Sequence, residues 1–184
     1  MAYNAANAVT FCQRQTGRYR DGECWTLMED AVTSAGGRSS RGLTPNFSPH
    51  ASFVWGTLVN TASLQAGDVL QFSGYSWTRT TVTDVTNADG SGSNDETFAT
   101  ETRGSPQHSA MVVRVLSPGV VEAIEQNVPP ISGNVQTVTL VLRAPEPQVT
   151  VTRTPNGRGG ETVTTVTITD TVRAAPRCYR PIGA

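Results

Sequence analysis

Three cysteines and two histidines supply all the thiol and imidazole in this 184-residue chain. Thiol–imidazole chemistry must therefore draw on Cys12, Cys24 or Cys178 and on His50 or His108. Cys24 has the most suggestive surroundings. The run Asp21-Gly22-Glu23-Cys24 precedes Trp25, Met28, Ala31, Val32 and Ala35 at helix-face spacing, which puts the thiol in the first turn of a helix. Unpaired N–H groups and the positive end of the helix dipole favour a thiolate there, while the carboxylates of Asp21 and Glu23 oppose it. A helix start alone does not make a nucleophile; an imidazolium alongside is also needed. Cys12 and Cys178 have no such context and are expected to be buried thiols. His50 follows Asn46-Phe47-Ser48-Pro49 and is expected to be a surface histidine.

His108 starts a β-branched run that turns at Ser117-Pro118-Gly119 and returns as Val120-Val121-Glu122-Ala123-Ile124-Glu125-Gln126-Asn127. Glu125 and Asn127 are two residues apart and share a sheet face in any register. A hairpin closing with Ser117 opposite Val120 puts Val112 across from Glu125 and Ala110 across from Asn127. His108 then lies on that same face, diagonal to Asn127. A one-residue slip would turn it to the other side. In the stated register imidazole, carboxylate and carboxamide converge.

These residues need elements to hold them. Helices are expected over 5–14 and from Asp21, its N-cap, to a stop at Gly36-Gly37. Beyond Arg38, proline and glycine punctuation with β-branched residues predicts short strands over 53–55, 69–72, 109–116, 120–125, 135–143, 149–154, 163–172 and 177–179. Residues 75–106 contain Asn-Ala-Asp-Gly-Ser-Gly-Ser-Asn-Asp and read as a flexible polar insertion. Residues 148–173 alternate Val or Ile with Thr around Asn156-Gly157-Arg158-Gly159-Gly160, a hairpin signal with one apolar and one hydroxyl face. Trp25, Phe53, Trp55 and Phe72 are expected in the core, Trp25 also as a cleft wall, and Asp68 bracing its own turn. Glu29-Asp30 and Asp95-Glu96 are neighbours in sequence, point apart and make poor acid/base pairs.

Composition removes several alternatives. The chain has 14 arginines and no lysine, so it has no lysine-containing phosphate loop, pyridoxal Schiff base or lysine nucleophile. Net charge is -1, which argues against nucleic acid as a partner. The residues after Met1 lack a basic start and a signal-length apolar run, and no stretch approaches membrane-spanning length. The chain is expected to be soluble, without an export signal and with no membrane partner. An odd cysteine count without C-x-x-C spacing suggests neither a zinc site nor a disulfide framework.

Taken in order, Gly22-Glu23-Cys24-Trp25 opening a helix, Gly67-Asp68-Val69-Leu70-Gln71-Phe72, His108 starting a strand and Ile124-Glu125-Gln126-Asn127 ending the next resemble the CHAP (cysteine, histidine-dependent amidohydrolase/peptidase) domain. Its close relatives are the NlpC-type cell-wall peptidases of the papain-like group. The resemblance runs from about Asp21 to Asn127 and extends toward Tyr179-Arg180-Pro181. It implies a single α+β domain of papain-like type over residues 1–184, with N-terminal helices packed on an antiparallel sheet and an extra Thr-rich hairpin. Carried over, Cys24 matches the nucleophile, His108 the base, Glu125 the carboxylate that orients the imidazole, and Asn127 the polar residue beside it.

The implied activity is hydrolysis of an amide through a Cys24 thioester, with peptidoglycan as the expected substrate and no metal or organic cofactor required. The backbone N–H of Cys24 is one natural oxyanion donor. Gln13, Arg18 and Tyr19 stay open as sources of a second. A wall hydrolase without an export signal would be delivered by a phage particle, a secretion apparatus or lysis of the producing cell. Two other readings keep the same residues: a cysteine protease on protein substrates, and a non-catalytic structural or binding module of a phage-like particle.

Overall fold

The computed structural model describes residues 2–129, 132–157 and 159–184. The first helix, α1 (Ala5–Gln13), is capped by Asn4, whose side chain accepts from the Asn7 N–H. The second, α2 (Cys24–Ser34), begins two residues later than Asp21 as N-cap would place it, with Glu23 as N-cap. Asp21 still braces the helix start, accepting from the Glu23 N–H at 3.1 Å and the Thr26 hydroxyl at 2.8 Å. A one-turn helix, α3 (Ser40–Leu43), is held to α2 by the buried Glu29 carboxylate, which accepts from the Ser40 N–H and from the hydroxyls of Ser39 and Ser40.

Ten strands follow: β1 (Thr57–Val59), β2 (Val69–Phe72), β3 (Tyr75–Thr86), β4 (Gly92–Arg103), β5 (His108–Ser117), β6 (Val120–Gln126), β7 (Val135–Val141), β8 (Gln148–Pro155), β9 (Glu161–Arg173) and β10 (Arg177–Arg180). All strand pairs are antiparallel. They form a six-stranded sheet, β1-β10-β2-β5-β6-β7, and a four-stranded sheet, β4-β3-β9-β8. The six-stranded sheet alternates cleanly. Val69, Met111 and Ile124 point to one side, where Ala8, Val9, Leu27, Met28, Ala31 and Val32 of α1 and α2 cover them. Leu70, Phe72, Ala110, Val112 and Ala123 point to the other, packed with Leu140 and Leu142 and closed by Trp77 and Val172 at the base of the second sheet. Buried Asp68 pairs with Arg180 at 3.0 Å and accepts from the Gln65 N–H, tying the turn before β2 to β10.

This architecture corrects the α+β papain-like expectation. Strand accounts for 47% of the structure and helix for 15%, in two antiparallel sheets, and α1 and α2 pack on one face of the six-stranded sheet. The difference arises largely in residues 75–106, read from sequence as a flexible insertion. They form β3 and β4, twelve residues each and about 40 Å long at the usual rise. With β8 and β9, the Thr-rich hairpin, they make a complete second sheet. No burial signal marks these strands because much of their surface stays in water; Phe98 in β4 is 66% exposed. Ladder hydrogen bonds and cross-strand pairs hold them instead, among them Arg79–Asp170 at 2.9 Å and Thr78–Thr100 at 3.2 Å. Residues 53–55, expected as a strand, lie outside strands, and Phe53 packs on Trp25, Phe47 and Trp55. In the β8–β9 turn Arg158 lies outside the described residues.

Candidate active site

His108 is the first residue of β5, Glu125 lies near the end of β6, and the β5–β6 ladder brings them together by a route the turn alone does not give. Ser117 opposes Val120 as expected, but irregularities between Val115 and Ser117 and between Val112 and Arg114 each slip the register by one. Two slips restore the original face, so Glu125 stays on the His108 side, now opposite Ala110 rather than Val112. The diagonal neighbour of His108 is therefore Glu125, not Asn127 as expected. The His108 Nε2 to Glu125 Oε2 distance is 3.0 Å. Asn127 has turned off the strand with φ 70°, and its amide donates to Glu23 Oε2 at 3.2 Å.

Cys24 reaches the same place from the opposite side of the sheet. Helix α2 packs on the face carrying Met111 and Ile124, while His108 and Glu125 project from the other face. The helix start meets them beyond the strand ends, where Cys24, His108, Asn127, Gly104 and Gln107 line one cleft of about 600 Å³. The loop leading to the thiol is clamped by Gln126. Its side chain accepts from the Tyr19 N–H at 3.0 Å and donates to the carbonyls of Tyr19 and Glu23. Gly22, at φ 84°, makes the turn just before the helix, which a residue with a Cβ would strain.

Cys24 is 9% exposed, His108 4% and Glu125 0%. Burial alone would lower the His108 pKa; its hydrogen bonds to Cys24 and Glu125 outweigh that and raise it to about 9. With Nε2 facing Glu125, Nδ1 is the ring nitrogen left for the thiol. Burial would raise the Glu125 pKa, and hydrogen bonds from His108 and then Arg103 hold the carboxyl below its usual range instead. The other thiols are differently placed. Burial pushes Cys12, which lies against the Met111 sulfur, up to about 12, and it also raises Cys178. All three cysteines are free, and His50 is exposed.

Two members of the site gave no sequence signal. Arg103, the last residue of β4, grips both Glu125 oxygens: Nε lies 2.8 Å from Oε2 and Nη2 2.8 Å from Oε1. Gln136 of β7 donates to Glu125 Oε1 at 3.0 Å. Arg103 lay in the stretch read as a loop, and no local pattern singles out Gln136. The Asn87-Ala88-Asp89-Gly90 turn midway through 75–106 was the available hint of a hairpin; there the Gly90 N–H donates to the Asn87 carbonyl. Of the three candidates for a second oxyanion donor, Gln13, Arg18 and Tyr19, none lines the cleft; the carboxamides that do are Gln107 and Asn127.

A second hollow of about 640 Å³ at the tip of the four-stranded sheet contains one carboxylate, Asp89, among its lining residues and neither thiol nor imidazole. Among the described residues no cluster of three or more His, Cys, Asp or Glu could hold a metal ion, and no helix is long and apolar enough to cross a membrane. No family model, curated protein or solved structure matches the chain.

Proposed function

We propose that the protein is a cysteine hydrolase that cleaves an amide bond through a thioester on Cys24. The observation that carries this reading is the buried chain Cys24, His108, Glu125 opening on a cleft, with His108 held toward its protonated form by the other two. Sγ of the Cys24 thiolate attacks the amide carbonyl carbon, and the displaced electron pair settles on oxygen beside the N–H groups at the start of α2. As the tetrahedral intermediate collapses, the C–N bond breaks and His108 gives its proton to the leaving amine. A water then adds to the thioester while His108 takes its proton. The C–S bond breaks, releasing the acid and restoring the thiolate–imidazolium pair. Glu125 orients the ring throughout.

Peptidoglycan is the substrate this reading favours, on the motif order that resembles CHAP domains. A purified Cys24→Ala variant should fold normally and release nothing from isolated sacculi. The wild-type protein should release fragments whose masses identify the bond cut. Equal activity in the variant contradicts the assignment, and activity on proteins but not sacculi moves the substrate to a polypeptide. One observation favours a second reading, a structural or docking module of a phage-like particle: the long, largely exposed four-stranded sheet. In that case neither substrate is cut and Cys24→Ala leaves assembly unchanged.

A further inference from the structure

Glu125 is fully buried and shared by three elements: His108 on β5, Gln136 on β7 and Arg103 on β4. The Arg103 side chain is only 6% exposed. Its Nε and Nη2 take both carboxylate oxygens while Nη1 donates to the Thr102 carbonyl at 2.8 Å. A fork of this kind fixes the plane of a carboxylate as well as its position. The terminal torsion of a glutamate is otherwise broad.

We propose that Arg103, delivered by the second sheet, is a positioning residue for the Cys24–His108 pair. By clamping Glu125 it sets the plane of the His108 ring, and by balancing the carboxylate it leaves the imidazolium to pair with the thiolate. This rests on the reading of Cys24 as a thiolate nucleophile. Thiolate, imidazolium, carboxylate and guanidinium then alternate, and the four charges cancel. Removing Arg103 takes away one positive charge beside Glu125 and so disfavours the thiolate, which then forms only at higher pH.

Among the described residues nothing else facing Glu125 substitutes for the guanidinium. Gln136 is neutral. The Tyr75 hydroxyl donates to the Val141 carbonyl, and burial raises its pKa. Glu101, 3.5 Å from Arg103, adds negative charge. The second sheet is thereby part of the chemistry as well as a projection from the molecule.

The test is the rate of Cys24 alkylation by iodoacetamide, followed by peptide mass spectrometry from about pH 4 to about pH 10, in the wild type, Arg103→Met and Arg103→Lys. No substrate is required. In Arg103→Met the acid limb should move up by about one pH unit, and the plateau between the limbs should fall about tenfold as the ring loses its orientation. Arg103→Lys keeps the charge and hence the limb, yet lacks the fork and should lose several-fold in plateau. A folded Arg103→Met protein with the wild-type profile overturns the inference. Should the Met variant not fold, Lys decides: a lowered plateau at an unmoved limb supports it, and a wild-type plateau overturns it. A wild-type profile in which Cys24 behaves like Cys12 and Cys178 contradicts the nucleophile reading itself, and the inference falls with it.

Discussion

Of the three thiols, Cys24 is the one beside an imidazole, and that imidazole is held toward its charged form by its hydrogen bonds to Cys24 and Glu125. In the proposed reaction His108 delivers a proton to the leaving amine, and the raised pKa of the ring keeps that proton in place up to about pH 9. Turnover is therefore expected to fall as pH rises through that value, and a kcat/KM profile checks it. Glu125→Gln should lower kcat by about 10²- to 10⁴-fold, because the ring loses the group that fixes its tautomer. It should also cost about 3–5 kcal/mol of stability, because Arg103 is left buried without its partner. Denaturant titration beside steady-state kinetics separates the two effects. At this scale helix-start and strand-parity rules singled out Cys24 and put His108 and Glu125 on one face, because those rules act locally; the pairing of Cys24 with them came from the resemblance. Asn127 was misplaced because those rules say nothing of two bulges upstream. Arg103 stayed invisible, since its partner is 22 residues away and its own strand has no apolar face.

Helix α2 and strands β2, β5 and β6 were legible as elements because each carries apolar residues that its neighbours bury, and β9 because it alternates Val or Ile with Thr, although it is only half-buried. Strands β3 and β4 obey a different economy, in which threonines and charged pairs on a half-solvated ribbon replace burial, so composition alone pointed to a loop. The return from β4 to β5 depends on Gly104, at φ 78°. A Cβ there would lie 2.7 Å from the Phe72 carbonyl carbon, and the Gly104 carbonyl accepts from the Gly74 N–H at 2.7 Å. Gly104→Ala is expected to cost about 1–3 kcal/mol and to displace the adjacent Arg103. Turnover should then fall further than the loss of folded protein explains, a comparison that needs activity normalised to the folded fraction.

The whole molecule joins a helix-covered sheet to a long open one, and the buried Arg103–Glu125 pair is a seam between them. Its contribution to stability depends on pH in a definite sense. The Glu125 pKa is depressed in the fold, so its contribution is fully present above the unfolded value of 4.5 and is lost as pH falls through the lower folded value. Thermal melts below about pH 4.5 should therefore show a steep acid loss that Glu125→Gln flattens. A wild-type melt no more acid-sensitive than the variant contradicts the seam. The two-sheet arrangement was not legible because it depends on β3 pairing with β9 across some 90 residues, and no local pattern encodes a pairing at that separation.

The most direct measurement is intact-protein mass spectrometry of the protein quenched during incubation with sacculus fragments. An acyl adduct on Cys24 is expected in the wild type, absent from Cys24→Ala and lost when the substrate is exhausted. Hydrolysis that proceeds with no adduct on Cys24, or with one on another residue, contradicts the assignment of Cys24, His108 and Glu125 as the hydrolytic site.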